Sequence, residues 1–252
     1  MEVSQYDADF YEAYLFSYLY YGLFSFLCLY VFIMVLTHLR IASLNCSGIN
    51  DRYKRIFIFN YLKKTNIPII FLQETKIQFK DENRIKADWH NQKIFINCTQ
   101  KSTACEGCMI LINNDHITIE KSILTSDGRC IVLDINFDGC KYHLINTYFP
   151  IEGKEKKTFM TSLYPLASSN YPIIWGGDFN LVLDPIKDRF PSHRQNDSYS
   201  NDLSQLVQTF NVKDACRVIY PNKSYFTFSR GGIKSRIDRK DIRFSKCDCG
   251  EL

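Results

Sequence analysis

The sequence predicts a layered α/β sandwich, with two central mixed β-sheets flanked by helices. Two runs carry that prediction. Pro68-Ile69-Ile70-Phe71-Leu72 and Pro172-Ile173-Ile174-Trp175 are continuously apolar, as central strands covered on both faces must be. Strand-like runs also outnumber helical ones along the chain. Its 252 residues are enough for one large α/β domain or two small ones. A hydrophobic content of 46% and an aromatic content of 15% allow a sizeable core.

The elements follow in order. Leu39–Asn45 reads as a strand. Asp51–Lys64 reads as an amphipathic helix, with Ile56, Phe59, Tyr61 and Leu62 on or near one face. Pro68–Leu72, Lys93–Asn97, Cys108–Ile112, Ile117–Ile119, Cys130–Ile135 and Tyr142–Tyr148 read as further strands. Glu155–Leu166 and Asn201–Phe210 read as helices, Pro172–Trp175 and Ser224–Phe228 as strands. Arg189–Ser200 is expected as an exposed loop. No internal linker breaks the pattern from residue 37 to 252.

The N-terminus differs. Tyr14 to Leu36 is a run of 23 residues without a charge. As a helix it would be roughly 34 Å long, against about 30 Å for a hydrocarbon core. It is too long and too Tyr-rich for a signal peptide. The expectation is therefore a separate apolar segment over 1–36, with a transmembrane helix at 14–36 as one reading. The other reading has translation starting at Met34 and no membrane segment. Acids precede the run and basic residues (Arg40, Arg52, Lys54, Arg55) follow it. An inserted helix would thus leave the main domain cytosolic; without one, the expectation is a nuclear or cytoplasmic protein. Residues 1–36 hold four acids and no Lys or Arg, so the +4 net charge understates how basic the remainder is. A basic surface favours a polyanionic partner. The ten cysteines are expected as unpaired thiols of a reducing compartment. Cys105-x-x-Cys108 and Cys247-x-Cys249 stand too far apart for a local zinc finger or ribbon.

Polar residues gather just past the apolar strands. The first strand finishes in Asn45. The second runs into Gln73-Glu74-Thr75. A later one carries Asn146-Thr147-Tyr148. Trp175 leads into Gly176-Gly177-Asp178-Phe179-Asn180, and Ser235-Arg236-Ile237-Asp238 closes the series. In layered α/β folds, groups at strand ends converge on one crevice. Strand alternation would put Asp178 and Asn180 on one side, and the glycines would let the backbone approach a ligand. A carboxylate beside a carboxamide suits a phosphate ester attacked by a metal-activated water.

These residues, with Phe71-Leu72-Gln73-Glu74-Thr75-Lys76, Leu181-Val182-Leu183-Asp184-Pro185, Asp188-Arg189 and Thr227-Phe228, resemble the endonuclease/exonuclease/phosphatase superfamily. Within it the chain from about residue 39 is most similar to the apurinic-like endonuclease domain of LINE-type (non-LTR) retrotransposons. The resemblance implies roles. Glu74 would be the main ligand of Mg²⁺ or Mn²⁺, and Asn45 would help hold metal and phosphate. Asp178 would orient and deprotonate the attacking water. Asn180 and Tyr148 would stabilise charge in the transition state. Asp238, Ser235, Thr227 and Asn146 would support the site near the DNA. The implied product is a DNA nick with a 3′-hydroxyl, ready for extension by a reverse transcriptase, of which this chain has no region.

One departure tempers that expectation. The family ends with a further strand bearing a Ser-Asp-His motif, whose His contacts the phosphate. None of His38, His90, His116, His143 and His193 lies beyond Asp238. Lys240–Ser245 resembles the start of that strand, but the motif does not follow. The sequence therefore also admits a C-terminally truncated, catalytically dead remnant that binds nucleic acid through its basic surface. A membrane-tethered phosphodiesterase acting on sphingomyelin or inositol phosphates is a third reading. Trp175-x-Gly177-Asp178-x-Asn180 fits the inositol phosphatase pattern, but Val182 stands where that pattern has Arg.

Overall fold

The computed structural model describes residues 14–16, 31–36, 39–89, 93–99, 106–192 and 195–243, the first two stretches by backbone alone. The strands are β1 (Tyr14–Phe16), β2 (Val31–Leu36), β3 (Leu39–Asn45), β4 (Ile69–Gln73), β5 (Ile94–Asn97), β6 (Cys108–Ile112), β7 (Thr118–Leu124), β8 (Cys130–Phe137), β9 (Cys140–Tyr148), β10 (Ile173–Asp178), β11 (Arg189–Phe190), β12 (Lys213–Asp214), β13 (Phe228–Arg230), β14 (Ile233–Ser235) and β15 (Asp238–Arg243). The helices are α1 (Arg52–Lys64), α2 (Glu82–Asp88), α3 (Gly153–Leu163), α4 (Ser200–Phe210) and α5 (Ala215–Ile219).

Two six-stranded sheets face each other, in the orders β1-β2-β3-β4-β6-β5 and β12-β15-β10-β9-β8-β7; β11-β14-β13 forms a small third sheet. The two large sheets are built alike. Each has one parallel pair, β3 with β4 or β9 with β10, and all other neighbours run antiparallel. A parallel pair needs a crossover. Helix α1 supplies it in the first sheet and α3 in the second.

Side-chain alternation sorts the apolar residues into three layers. Ile41, Ile69, Phe71, Ile110, Leu133, Leu144, Ile174 and Ile242 fill the space between the sheets. Ala42, Leu44, Ile70 and Leu72 point the other way, beneath Phe59 and Leu62 of α1 and Ile85 of α2. Ile145, Ile173 and Trp175 pack against Phe159 and Leu163 of α3 and Leu203, Leu206 and Phe210 of α4. Burying both faces of β4 and β10 is what their unbroken apolar runs predicted. Asp51 caps α1, its carboxylate accepting from the Lys54 N–H at 2.8 Å. Arg55, fully buried, ties α1 to α2 through Asp88.

The sandwich expected from the sequence is present, but the N-terminal expectation is corrected. The described parts of 14–36 are strands, not a helix. Met34, Val35 and Leu36 of β2 pair antiparallel with Ile41, Arg40 and Leu39 of β3. No helix among the described residues is long and apolar enough to cross a membrane. Absence of charge is shared by lipid-facing helices and sheet strands, and β2 is a run rich in β-branched residues (VFIMVL), which favours the strand. The boundary expected between 36 and 37 falls in the connection between β2 and β3. At the other end, where the sequence predicts a missing final strand with only its start at Lys240–Ser245, β15 spans Asp238–Arg243 and pairs with β10; 244–252 lie outside the described residues. Ser224–Phe228, expected as a strand, is extended only from Phe228. Five cysteines are free thiols (Cys46, Cys98, Cys108, Cys130 and Cys216), while Cys140 is disulfide-bonded, against expectation. Of the residues weighed for zinc, Cys105, Cys247 and Cys249 lie outside the described residues, as do His38, His90 and His193.

Candidate active site

The four strands of the two parallel pairs all end at one face of the sandwich. In the first sheet Asn45 is in register with Gln73, and Glu74 follows. In the second, Tyr148 is in register with Asp178. Because the sheets face each other, Asn45 reaches across. Its Nδ2 donates to Glu74 Oε2 at 3.0 Å and to Asp178 Oδ2 at 2.8 Å. The Asn45 Oδ1 accepts from the Ser47 N–H at 2.9 Å, which fixes the amide's orientation.

Glu74 and Asn180 both have left-handed backbones, φ 52° and 45°. Residues other than glycine hold that conformation only when their surroundings fix it, and such residues cluster at functional sites. Here the fixing bonds are visible. The Glu74 carbonyl accepts from the Gly48 N–H at 2.7 Å, and Lys76 Nζ lies 2.6 Å from Glu74 Oε1. The Asn180 N–H donates to Asp178 Oδ1 at 2.9 Å. Its carbonyl accepts from Lys156 Nζ of α3 at 2.7 Å.

Asp178 is nearly fully buried. Burial pushes its carboxyl up to about 6, against the hydrogen bonds from Asn180 and Asn45, and the Glu74 charge adds to the rise. Asp238, in register with Asp178 across β10 and β15, is also raised well above the usual carboxylate range. Burial is the main cause there, followed by the charge of Asp178. Three carboxylates thus crowd one crevice: Glu74 penalises ionisation of Asp178, and both penalise that of Asp238. A cation bound among them would relieve that repulsion. Among the described residues, no three His, Cys, Asp or Glu side chains form a cage of ligands. Glu74 supplies a sparse oxygen set instead, since Asn45 turns its Nδ2 toward the carboxylates and its Oδ1 to Ser47. That fits Mg²⁺, which keeps several waters and takes one or two carboxylates.

Other expected site residues sit differently. Asn146 is wholly buried away from the carboxylates. It bridges the sheets, donating to the Leu72 and Met109 carbonyls at 3.1 and 2.8 Å and accepting from Gln73 Nε2 at 2.7 Å. The Thr227 Oγ1 accepts from the N–H groups of Ile237 and Asp238, so it braces the turn into β15. Ser235 contributes its carbonyl, which accepts from the Thr227 N–H at 2.9 Å. Asn180 does not flank Asp178 as strand alternation predicted. The strand ends at Asp178, and the Asn180 amide turns to donate to the Phe149 carbonyl at 2.9 Å. The double glycine also serves packing rather than a ligand. A Cβ on Gly177, at φ 147°, would lie 1.9 Å from the Thr147 carbonyl oxygen; one on Gly176 would press on Phe71 of the facing sheet at 3.1 Å.

Three supporting residues take roles that the sequence does not assign to them. Lys156 looked like one cation of a helix start. Arg129 came from a turn. Arg236 grips Asp188 through two bonds of 2.8 and 2.9 Å and Asp214 through two of 3.2 and 2.6 Å, while Arg217 also pairs with Asp188. Burial alone would raise Asp214, but Arg239 and Arg236 outweigh it and hold that carboxyl low. The Arg of Ser-Arg-Ile-Asp is therefore an anchor that holds the strand carrying Asp238.

Two facing sheets with acidic and amide groups at the ends of their parallel strands define a phosphoesterase-like sandwich. Comparison makes the assignment specific. Residues 42–239 match the endonuclease/exonuclease/phosphatase family, and the chain belongs to that family. It is 28% identical over 208 residues to the Transposon TX1 uncharacterized 149 kDa protein of Xenopus laevis, covering 80% of this chain and 16% of that protein. It is 25% identical over 155 residues to a DNA-(apurinic or apyrimidinic site) endonuclease of Dictyostelium discoideum, covering 57% and 42%. The chain thus spans less than half the length of these relatives. Among solved structures it resembles an AP endonuclease from Archaeoglobus fulgidus (TM-score 0.65, 21% identity, 81% of this chain and 86% of that one). It also resembles an AP endonuclease from Leishmania major (TM-score 0.64, 14% identity, 80% and 78%). At those identities the structures speak to the fold.

Proposed function

We propose that this domain is a divalent-metal-dependent phosphodiesterase of the retrotransposon endonuclease type, nicking DNA to leave a 3′-hydroxyl. The observation that carries the proposal is the Asn45 amide joining Glu74 to the buried Asp178 across the two sheets. Family membership adds support, since the family generally uses divalent metal ions. Glu74, with Asn45 beside it, would hold Mg²⁺ or Mn²⁺. When bound, the cation polarises the scissile phosphate and stabilises the leaving oxygen.

The remaining work falls to side chains of the chain itself. Asp178, aligned by Asn45 and the Asn180 N–H, orients the attacking water and accepts its proton. A carboxyl raised to about 6 is a stronger base than an ordinary aspartate yet is still ionised near neutrality. The Asn180 amide has two hydrogens; Phe149 takes one, and the other faces the task of meeting charge on phosphate oxygens. Tyr148 shares that task from the end of β9.

The test is nicking of supercoiled plasmid by the purified chain with Mg²⁺. Nicked product should be extended by a DNA polymerase without end repair, and chelator should abolish nicking. Glu74→Gln should lower the rate by at least about 10²-fold and weaken Mg²⁺ dependence. Plasmid that stays supercoiled at every metal tried, yet is bound in a salt-sensitive way, would leave a nucleic-acid-binding remnant as the correct reading.

A further inference from the structure

One largely buried ion pair beside the site has no part in the roles above. Arg129 lies in the turn between β7 and β8, and its guanidinium carbon stands 5.2 Å from the centre of the Tyr148 ring. Its Nη1 donates to the Tyr148 carbonyl at 3.4 Å, and the Tyr148 N–H donates to the Arg129 carbonyl at 2.9 Å. Its Nη2 donates to Glu106 Oε1 at 2.8 Å, with both side chains only 11% exposed. Glu106 is itself tied to the loop carrying Glu74. The Glu106 carbonyl accepts from the Lys76 N–H at 2.9 Å, and the adjoining Gly107 carbonyl accepts from the Thr75 N–H at 3.1 Å. Asp127 completes the turn, accepting from the Arg129 N–H at 3.0 Å.

We infer that Arg129 is a positioning residue for Tyr148, tuned by Glu106, and that the pair couples the Tyr148 phenol to the Glu74 loop. The inference rests on Tyr148 acting in phosphodiester cleavage. The physics has two parts. A cation over an aromatic face attracts its electron density, more strongly where water is excluded. The same charge favours a phenol that releases or shares its proton, so it makes Tyr148 a better donor to a negatively charged phosphate oxygen. Glu106 moderates that field and fixes the guanidinium in one plane. Arg129 lies over the ring, Asp127 of the turn and Glu106 ahead of β6 bond Arg129, and Asp178 is the register neighbour of Tyr148 on β10.

Two substitutions make opposite predictions for one observable. The observable is the phenol titration of Tyr148, read from the ring carbon resonance of tyrosine-labelled protein and assigned with Tyr148→Phe. Arg129→Met removes the charge and should raise the midpoint by about one pH unit. Glu106→Gln removes the counter-charge and should lower it. Arg129→Lys should restore most of the wild-type value. This readout does not require nicking, so a failure of the proposed activity leaves it intact. In the nicking assay, Arg129→Met should cut the rate about tenfold with little change in DNA affinity. In the Tyr148→Phe background it should cost nothing more. A Tyr148 midpoint that moves the same way, or not at all, in both variants overturns the inference. So does an additive rate loss in the double variant, which marks a merely structural pair. If Arg129→Met fails to fold, Glu106→Gln still decides through the sign of its shift.

Discussion

Asp178 is placed where ionisation is costly, and that placement sets both its chemistry and a stability cost. Its carboxyl is raised to about 6 from an ordinary 3.8 because it is buried and faces Glu74. A raised carboxyl binds its proton more tightly in the folded state. Its contribution to stability is therefore complete below about pH 4 and lost as pH rises through 6. Metal-free protein should show this as a melting temperature that falls from pH 5 to pH 7 on account of this residue. Asp178→Asn should flatten that slope and stabilise the metal-free fold at pH 7.5 by about 2 kcal/mol. Nicking should fall by about 10³-fold in the same variant, since the base is gone. Calorimetry and the plasmid assay check the two halves. Wild-type nicking should rise with pH through a midpoint near or below 6, lower when more Mg²⁺ is bound, because a cation favours the ionised carboxylate. A midpoint that ignores the Asp178→Glu substitution and the metal concentration would assign the base elsewhere.

Among the elements, the β13–β14 hairpin is the one most exposed beside the site. Phe228, Ser229, Arg230, Ile233 and Lys234 all face solvent, around a Gly231-Gly232 turn. Its base is anchored: Ser235 and Thr227 bond each other, and Arg236 is clamped to Asp188. A rigid base with a basic, partly apolar tip suits contact with a phosphate backbone. Replacing Arg230 and Lys234 together by Ala should lower the slope of log affinity against log salt by about 2 for duplex DNA, one phosphate contact per cation. The melting temperature should stay within error, because neither side chain packs on the core. Fluorescence anisotropy across a salt series reads the slope; an unchanged slope would take the hairpin off the interface. Little in the chain marks this element. Its strands are three residues each and nearly all exposed, so they lack the apolar alternation that marks a strand. Helix α2 was hidden for a related reason. It is seven residues long and buries only Ile85 and Asp88. The charge-free composition of β2 suits a membrane helix and a sheet strand equally well, so the sequence leaves both readings open.

At the scale of the whole molecule, two sheets must be held in register for Asn45 to reach Asp178. A buried polar bridge does this. Ser43, Gln73 and Asn146 link their side chains, and Asn146 satisfies carbonyls of β4 and β6. Removing it takes a side-chain donor from each of those buried acceptors and an acceptor from Gln73 Nε2. Asn146→Ala should therefore cost about 3 kcal/mol and lower the melting temperature, with a loss of nicking that cooling partly recovers. A variant that melts like wild type would show the sheets are held by apolar contact alone.

The layered class, the central strands and the short list of polar strand ends can all be read from the chain alone. Unbroken apolar runs can only be buried on both faces, and groups at parallel strand ends can only point one way. Thus the placement of Asn45, Glu74, Tyr148 and Asp178 at or just past strand ends was legible in the chain. The tertiary structure decided what each polar group touches. It turned Asn146 into a bridge between sheets and Asn180 towards Phe149. It set Gly177 against Thr147, and it made partners of Arg129 and Tyr148, nineteen residues apart. Periodicity records which face of an element is buried. Contacts between elements depend on how two twisted sheets stack, and no local pattern in the chain encodes that distance.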